Sequence, residues 1–307
     1  MENICEVEGL IKRYGSLTAV DGLSFSIRRG EIFGLLGPNG AGKTTTIGMI
    51  SGLLKPDIGQ IRFHASLAGR QAVGLCPQNI MIWDTLTCFE QLVFIARMYD
   101  VPSRIARPRA LSLLSAMGLM EKKGRLAKTL SGGMQRRMNL LLAMMHSPEL
   151  IILDEPQAGL DPQSRVLVRD FIRSLRDKAT VLLTTHDMEE ADKLSDRVAI
   201  IDHGRLLVLD TPQRLKHSAN SEHFVTAIPA EKDSGRLDEF LSALQKREMN
   251  ASVRNAAVVV RCSDAVVGIR EVMDAAKAIG FALDDISIRQ KSLEDVFIGL
   301  TGRGLRE

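Results

Sequence analysis

Glu31-Ile32-Phe33-Gly34-Leu35-Leu36-Gly37-Pro38-Asn39-Gly40-Ala41-Gly42-Lys43-Thr44 is the stretch that decides the fold. Its first half is a continuous apolar run bounded by glycine, which suits a strand buried on both faces of a sheet. Its second half fits the spacing G-x-x-x-x-G-K-[ST], and the pattern that follows reads as a helix beginning near Thr44. Strand, glycine loop and helix in that order predict a phosphate cradle. Glycines let backbone N–H groups converge on phosphate oxygens, and the helix N-terminus adds partial positive charge. Lys43 then reaches the β- and γ-phosphates, and the Thr44 hydroxyl is a ligand for Mg²⁺. Gly37, Pro38, Asn39, Gly40, Ala41, Gly42, Lys43, Thr44 and Thr45 are the candidate nucleotide-binding residues of this loop.

Two more apolar runs follow, 150–153 (LIIL) and 180–184 (TVLLT), each preceded by a helical pattern. Strands alternating with helices predict a parallel α/β sheet. The first run delivers Asp154 and Glu155 to the C-terminal end of its strand, the edge at which such sheets bind ligands. Asp154 is expected to hold Mg²⁺, and Glu155 to orient or deprotonate an attacking water, a role worth about 10²–10⁴-fold in rate. Upstream, Leu130-Ser131-Gly132-Gly133-Met134-Gln135 places two glycines after a serine at the start of an apparent helix, a second nest of N–H donors.

Outward from these motifs, 7–27 alternates apolar and polar residues around Gly9, Gly15 and Gly22 and predicts short antiparallel strands. Residues 86–99 and 106–117 read as a helical insert, and 198–201 with 206–209 as a closing hairpin. The polar stretch 216–222 (KHSANSE) marks a boundary, giving domains 1–220 and 221–307. Beyond it the pattern reads strand 224–228, helix 236–247, strand 256–262, helix 266–279, strand 285–288 and helix 293–300, a small α+β sandwich. Ser292 with Asp295 three residues on predicts an N-terminal cap for the last helix.

Composition narrows the classes. The chain has 307 residues, with Lys+Arg 40 against Asp+Glu 37 for a net charge of +3, too balanced for a nucleic-acid binder. Residues 224–307 carry 12 basic and 13 acidic residues, a net of −1, so no nucleic-acid partner is expected. No apolar run approaches the ~20 residues that cross a bilayer. The acids in Met1-Glu2-Asn3-Ile4-Cys5-Glu6 stand where a signal peptide is basic, so a cytoplasmic location is expected. Cys5, Cys76, Cys88 and Cys262 are widely spaced and read as reduced, mostly buried thiols; of the six histidines only His186 receives a role.

With these motifs in this order, the chain resembles the ATP-binding cassette family, the nucleotide-binding subunits of ABC transporters. The resemblance spans roughly 1–218: Tyr14 at the adenine-stacking position, the phosphate loop, Gln78 in Cys76-Pro77-Gln78, the Leu130–Gln135 signature, Asp154-Glu155, Asp161 in Gly159-Leu160-Asp161-Pro162, and His186 in Thr184-Thr185-His186-Asp187. It implies a P-loop NTPase fold with a mixed-sheet core, an antiparallel β subdomain and a helical subdomain. It also implies a homodimer, or a pair with a related cassette, sandwiching two ATP molecules, each held by one copy's phosphate loop and the other's signature. Ser131, Gly132 and Gly133 then contact the partner's ATP, Gln78 senses Mg²⁺ and couples to a separate membrane permease, Asp161 works across the seam, and His186 contacts the γ-phosphate. The chain would sit peripherally at the inner face of the membrane.

Three departures from the family pattern stand out: Gln157 where Thr or Ser is usual, Met134 in place of the signature's Gln, and a short stretch from Gly59 to Gln78 that trims a sheet edge. Met134 and the terminal Ser292-Leu293-Glu294-Asp295-Val296-Phe297 are similar to the branch of ABC-2-type exporters, so an export ATPase is expected. The alternatives are a non-transport cassette ATPase of ribosomes, DNA or iron–sulfur assembly, whose second cassette or long coiled-coil inserts are missing here, and an importer ATPase, which the terminal motif disfavours. The second domain, without phosphate loop or signature, reads as a regulatory or dimer-supporting accessory.

Overall fold

The structure, a computed structural model, describes residues 2–67, 72–217, 223–254 and 256–301. It opens with β1 (Asn3–Tyr14) and β2 (Leu17–Arg28), each of 12 residues. These replace the short strands predicted over 7–27, because the glycines there bulge the ladder without ending it: register shifts fall at Val7/Leu10 and Leu10/Ile11, beside Gly9 and Gly22. Next come β3 (Ile32–Leu36), α1 (Lys43–Ile50), β4 (Ile58–Phe63) and β5 (Val73–Cys76). The strand reading misses β4 and β5: β4 is an edge strand with nearly every residue exposed, and β5 has only four residues.

The helical insert consists of α2 (Cys88–Met98), α3 (Ser103–Ala116) and α4 (Gly132–Leu142). A capping box between Thr87 and Glu90 starts α2. The first unit then runs through β6 (Leu150–Asp154), α5 (Pro162–Arg173), β7 (Thr180–Thr185), α6 (Met188–Leu194), β8 (Arg197–Asp202) and β9 (Arg205–Asp210).

A six-stranded sheet in the order β5-β6-β7-β3-β8-β9 is parallel except for the β8–β9 hairpin, and a three-stranded antiparallel sheet, β2-β1-β4, lies beside it. The continuous apolar runs are explained by cores on both faces of the large sheet. Ile151, Leu153, Val181 and Leu183 join the helices in one core, while Phe33, Leu35, Leu150, Ile152 and Leu182 join β1, β2 and α1 in the other. Because β3, β6 and β7 are parallel neighbours, the loops that leave them open on one edge.

The chain divides into two compact units, the second beginning at Gln213; residues 218–222 of the polar boundary stretch lie outside the described residues. α7 (Pro212–His217) leads into β10 (His223–Pro229), α8 (Leu237–Gln245), β11 (Asn250–Arg254), β12 (Ala257–Cys262), α9 (Ala265–Ala278), β13 (Leu283–Gln290) and α10 (Leu293–Thr301). Strand β11 was not anticipated, since Asn-Ala-Ser-Val-Arg is short, half polar and pairs only along one edge. With it the unit is a βαββαβ split sheet, order β11-β12-β10-β13, whose inner residues Val225, Ala227, Val258 and Val260 pack on Phe240, Leu244 and Val272 of α8 and α9.

The terminal motif has a structural account. Ser292 Oγ accepts the Asp295 N–H at 3.2 Å while the Asp295 carboxylate accepts the Ser292 N–H at 2.9 Å, a reciprocal cap for α10. The same carboxylate pairs with Arg289, whose guanidinium lies 4.5 Å from the Phe224 ring centroid. Burial pushes the Asp295 carboxyl up, but the Arg289 pair and the Ser292 bonds outweigh it and hold it at about 2. A depressed carboxylate stabilises above its unfolded value near 3.8, and that contribution, about 2 kcal/mol, is lost as pH falls toward 2. Asp295→Asn is therefore expected to raise hydrogen exchange in α10 roughly 30-fold at pH 7 and progressively less toward pH 2. An equal effect at both ends of that range would sink the ion-pair account.

Candidate nucleotide site

The loop after β3 is shaped by two glycines. A Cβ at Gly37 would stand 2.3 Å from the Ile201 carbonyl oxygen, and Gly42, at φ 100°, would put one 2.4 Å from that of Ala19. Only glycine fits either place. Lys43 opens α1, whose first turn holds no acid, and its ammonium donates to the carbonyls of Gly37 at 2.7 Å and Pro38 at 3.1 Å. Burial lowers the Lys43 pKa, with Glu155 and then Asp154 opposing the shift. A helix N-terminus with convergent N–H groups and a buried cation is built for an anion of high charge.

The acidic half comes from the neighbouring strands. Asp154 ends β6 opposite Thr184 of β7, whose hydroxyl donates to Asp154 Oδ1 at 2.5 Å. Glu155 follows with φ 49°, a left-handed backbone held by two bonds from its N–H to Thr184, to O at 3.2 Å and to Oγ1 at 3.1 Å. That turn sends the carboxylate back to within 3.8 Å of the Lys43 ammonium. His186 leaves the end of β7 and sets Nδ1 2.8 Å from Glu155 Oε2. Lys43 and Glu155 are buried, whereas His186 is exposed.

Tyr14, the loop from Asn39 to Thr45, Gln78 and Glu155 line one cleft of about 440 Å³. Tyr14 stands exposed at its rim with the Lys12 ammonium 5.9 Å from its ring centroid. Thr44, Asp154 and Gln78 supply only oxygen donors of the kind Mg²⁺ prefers, and Asp154 keeps Oδ2 clear of the Thr184 bond, so the residues present fit that ion beside a phosphate.

Ser131, Gly132, Gly133 and Asp161 do not line this cleft. Ser131 caps α4 through the Met134 N–H at 3.4 Å, and Asp161 caps α5 through the Ser164 N–H at 3.0 Å, a bond that also holds its carboxyl below the usual range. A Cβ on Gly133 would lie 3.5 Å from Asp161 Oδ2, so the signature and Asp161 form a second patch, exposed at Ser131, Gly132 and Asp161.

Sequence reasoning missed three residues at the site. Arg136 of α4, buried, donates one amine to the Gln78 carbonyl and the other to the Glu155 carbonyl. One turn on, Asn139 donates to the Pro77 carbonyl at 3.3 Å and accepts the Met81 N–H at 3.1 Å. The helix behind the signature thus holds both loops of the cleft; the available signal was a charge and an amide three apart in a Met/Leu-rich helix. His203, in the β8–β9 turn, also lines the cleft, at a φ of 48°, although only His186 had been given a role.

Residues 20–158 match the family described as ABC transporter. The whole chain is similar to the linearmycin resistance ATP-binding protein LnrL of Bacillus subtilis (36% identity over 98% of this chain and 99% of that protein). It is likewise similar to the Nod factor export ATP-binding protein I of Ralstonia nicotianae (38% identity, 99% and 95%). Among solved structures, an ATP binding subunit of an ABC transporter aligns with a TM-score of 0.64 at 28% identity, over 70% of this chain and 92% of that one.

Proposed function

Since the chain belongs to the ABC-transporter ATP-binding family and is the ATP-hydrolysing subunit of an exporter, we propose that two copies close head to tail around two ATP–Mg²⁺ and drive a separate membrane permease. The observation that carries the site assignment is the line of side chains Lys43–Glu155–His186 at the mouth of the glycine loop, its first two members buried and its last exposed. Backbone N–H groups of the loop and Lys43 bind the β- and γ-phosphates, and Tyr14 stacks on the adenine. Thr44, Asp154 and Gln78 would hold Mg²⁺, which would supply charge neutralisation to the phosphates. Glu155 takes the proton of the attacking water, and His186 keeps that carboxylate aimed while its other nitrogen faces the γ-phosphate. Ser131, Gly132, Gly133 and Asp161 complete the partner's site; the exposure of Ser131, Gly132 and Asp161 on a patch outside the cleft of their own chain supports this reading.

The second unit acts as an accessory to this dimer, since its described residues carry none of these motifs. Among the described residues no helix is long and apolar enough to cross a membrane. Membrane association then goes through the permease, at the cytoplasmic face. We place its docking surface beside Gln78, where Met81, Trp83, Phe94 and Met98 are exposed and Trp83 packs edge-on against Phe94 at 5.3 Å. Aromatic anchors of this kind carry most of the energy of an interface. Trp83→Ser with Phe94→Ser is expected to leave the ATPase rate of the isolated subunit within twofold and to abolish its stimulation by permease in proteoliposomes. Full stimulation of the double variant would move the docking surface elsewhere.

A further inference from the structure

A small, partly open pocket of about 50 Å³ lies beside the Glu155–His186 pair, lined in part by Glu155, Gln157, Thr185, His186 and Glu190. A water needs about 10–15 Å³, so the pocket accommodates a few. Three polar atoms of its walls are sealed from bulk solvent and have no hydrogen-bond partner among the described residues: Nε2 and Oε1 of Gln157, and Oε2 of Glu190. The other Glu190 oxygen is taken by Arg169 at 3.2 Å. Buried donors and acceptors left unmatched are costly, and ordered water is the usual remedy where a polar pocket gives it two to four partners. Gln157 stands two residues after Glu155, on the turn closed by the bonds from the Ala158 N–H to the Glu155 carbonyl at 3.1 Å and from the Leu160 N–H to the Gln157 carbonyl at 3.3 Å. An amide donates and accepts at once, so it can bridge the water to more than one wall of the pocket.

We propose that Gln157 and Glu190 hold ordered water beside the Glu155–His186 pair, and that Gln157 is a positioning residue for ATP hydrolysis. The exposed His186 ring meets Glu155 at its Nδ1 edge, and the water supplies the hydrogen bonds that keep ring and carboxylate in one arrangement. This rests on the reading of Glu155 as the carboxylate that polarises the attacking water. Gln157→Leu keeps the volume and removes both hydrogen-bonding atoms; Gln157→Thr restores a hydroxyl.

The test has two readouts on the full chain. In crystals of the nucleotide-free protein at high resolution, water is expected between the Gln157 amide and Glu190, and in Gln157→Leu it is expected to be gone with His186 turned away from Glu155. In steady-state assays Gln157→Leu is expected to lower kcat about tenfold with KM for ATP within twofold, Gln157→Thr to recover at least half of the loss on a logarithmic scale, and Glu190→Gln to be non-additive with Gln157→Leu. A dry pocket in the parental crystal overturns the proposal, as does a Gln157→Leu kcat within twofold of the parent, or a loss in kcat that Gln157→Thr does not relieve. A Glu155→Gln protein that turns over at the parental rate would instead remove the reading of Glu155, with the water still in place.

Discussion

Glu155→Gln is expected to bind ATP as the parent does and to hydrolyse it about 10²–10⁴-fold more slowly. The amide keeps the volume of the side chain and can still bond His186, at 2.8 Å from the parental carboxylate, but it cannot take a proton from water. The groups assigned to binding, Lys43, Thr44 and Asp154, are untouched. Size-exclusion chromatography with ATP is expected to find the variant as a stable dimer, because the closed sandwich no longer consumes its own ligand. Turnover at the parental rate would take away the assignment of the carboxylate.

Lys43→Ala and Ser131→Arg are each expected to lose nearly all hydrolysis, for opposite reasons. The first deletes the buried cation that now donates to the Gly37 and Pro38 carbonyls, and nucleotide affinity falls with it. The second leaves the phosphate loop and its affinity intact and puts a bulky cation on an exposed cap of α4, where the partner has to close. Mixed in equal amounts the two inactive chains should regain activity. In a twofold dimer of this kind half the molecules are mixed, and one of the two sites in each has both Lys43 and Ser131, so about a quarter of the parental rate is expected. No recovery in the mixture would mean that both residues serve the same copy's nucleotide and that the head-to-tail arrangement is wrong.

How much of this was legible beforehand follows from the range of the interactions. Ile32–Leu36, the Gly37–Thr44 loop and Leu150–Asp154 could be read directly, because burial on both faces demands unbroken apolar runs and because a glycine at φ 100° has no substitute. The cap on α10 was equally local, three residues from Ser292 to Asp295. The edge strands were not legible, since β4 gains its ladder bonds from the distant β1, and β11, although paired with the adjacent β12, is too short and polar to carry a strong pattern of its own.

By itself, then, the sequence determined the strand–loop–helix cradle, the order of the motifs and the carboxylates at a strand end, all properties of contiguous residues and their backbone preferences. Only the tertiary structure decided that Arg136 ties the Gln78 loop to the Glu155 turn across 58 and 19 residues. It likewise decided that His203 reaches the cleft from the β8–β9 turn, that Ser131 and Asp161 stand apart from the cleft, and that Gln157 and Glu190 face one small pocket. The physical reason is common to all four: which polar atoms meet is set by how parallel strands bring their loops to one edge of the sheet and by what packs behind them, and neither leaves a mark on the spacing along the chain.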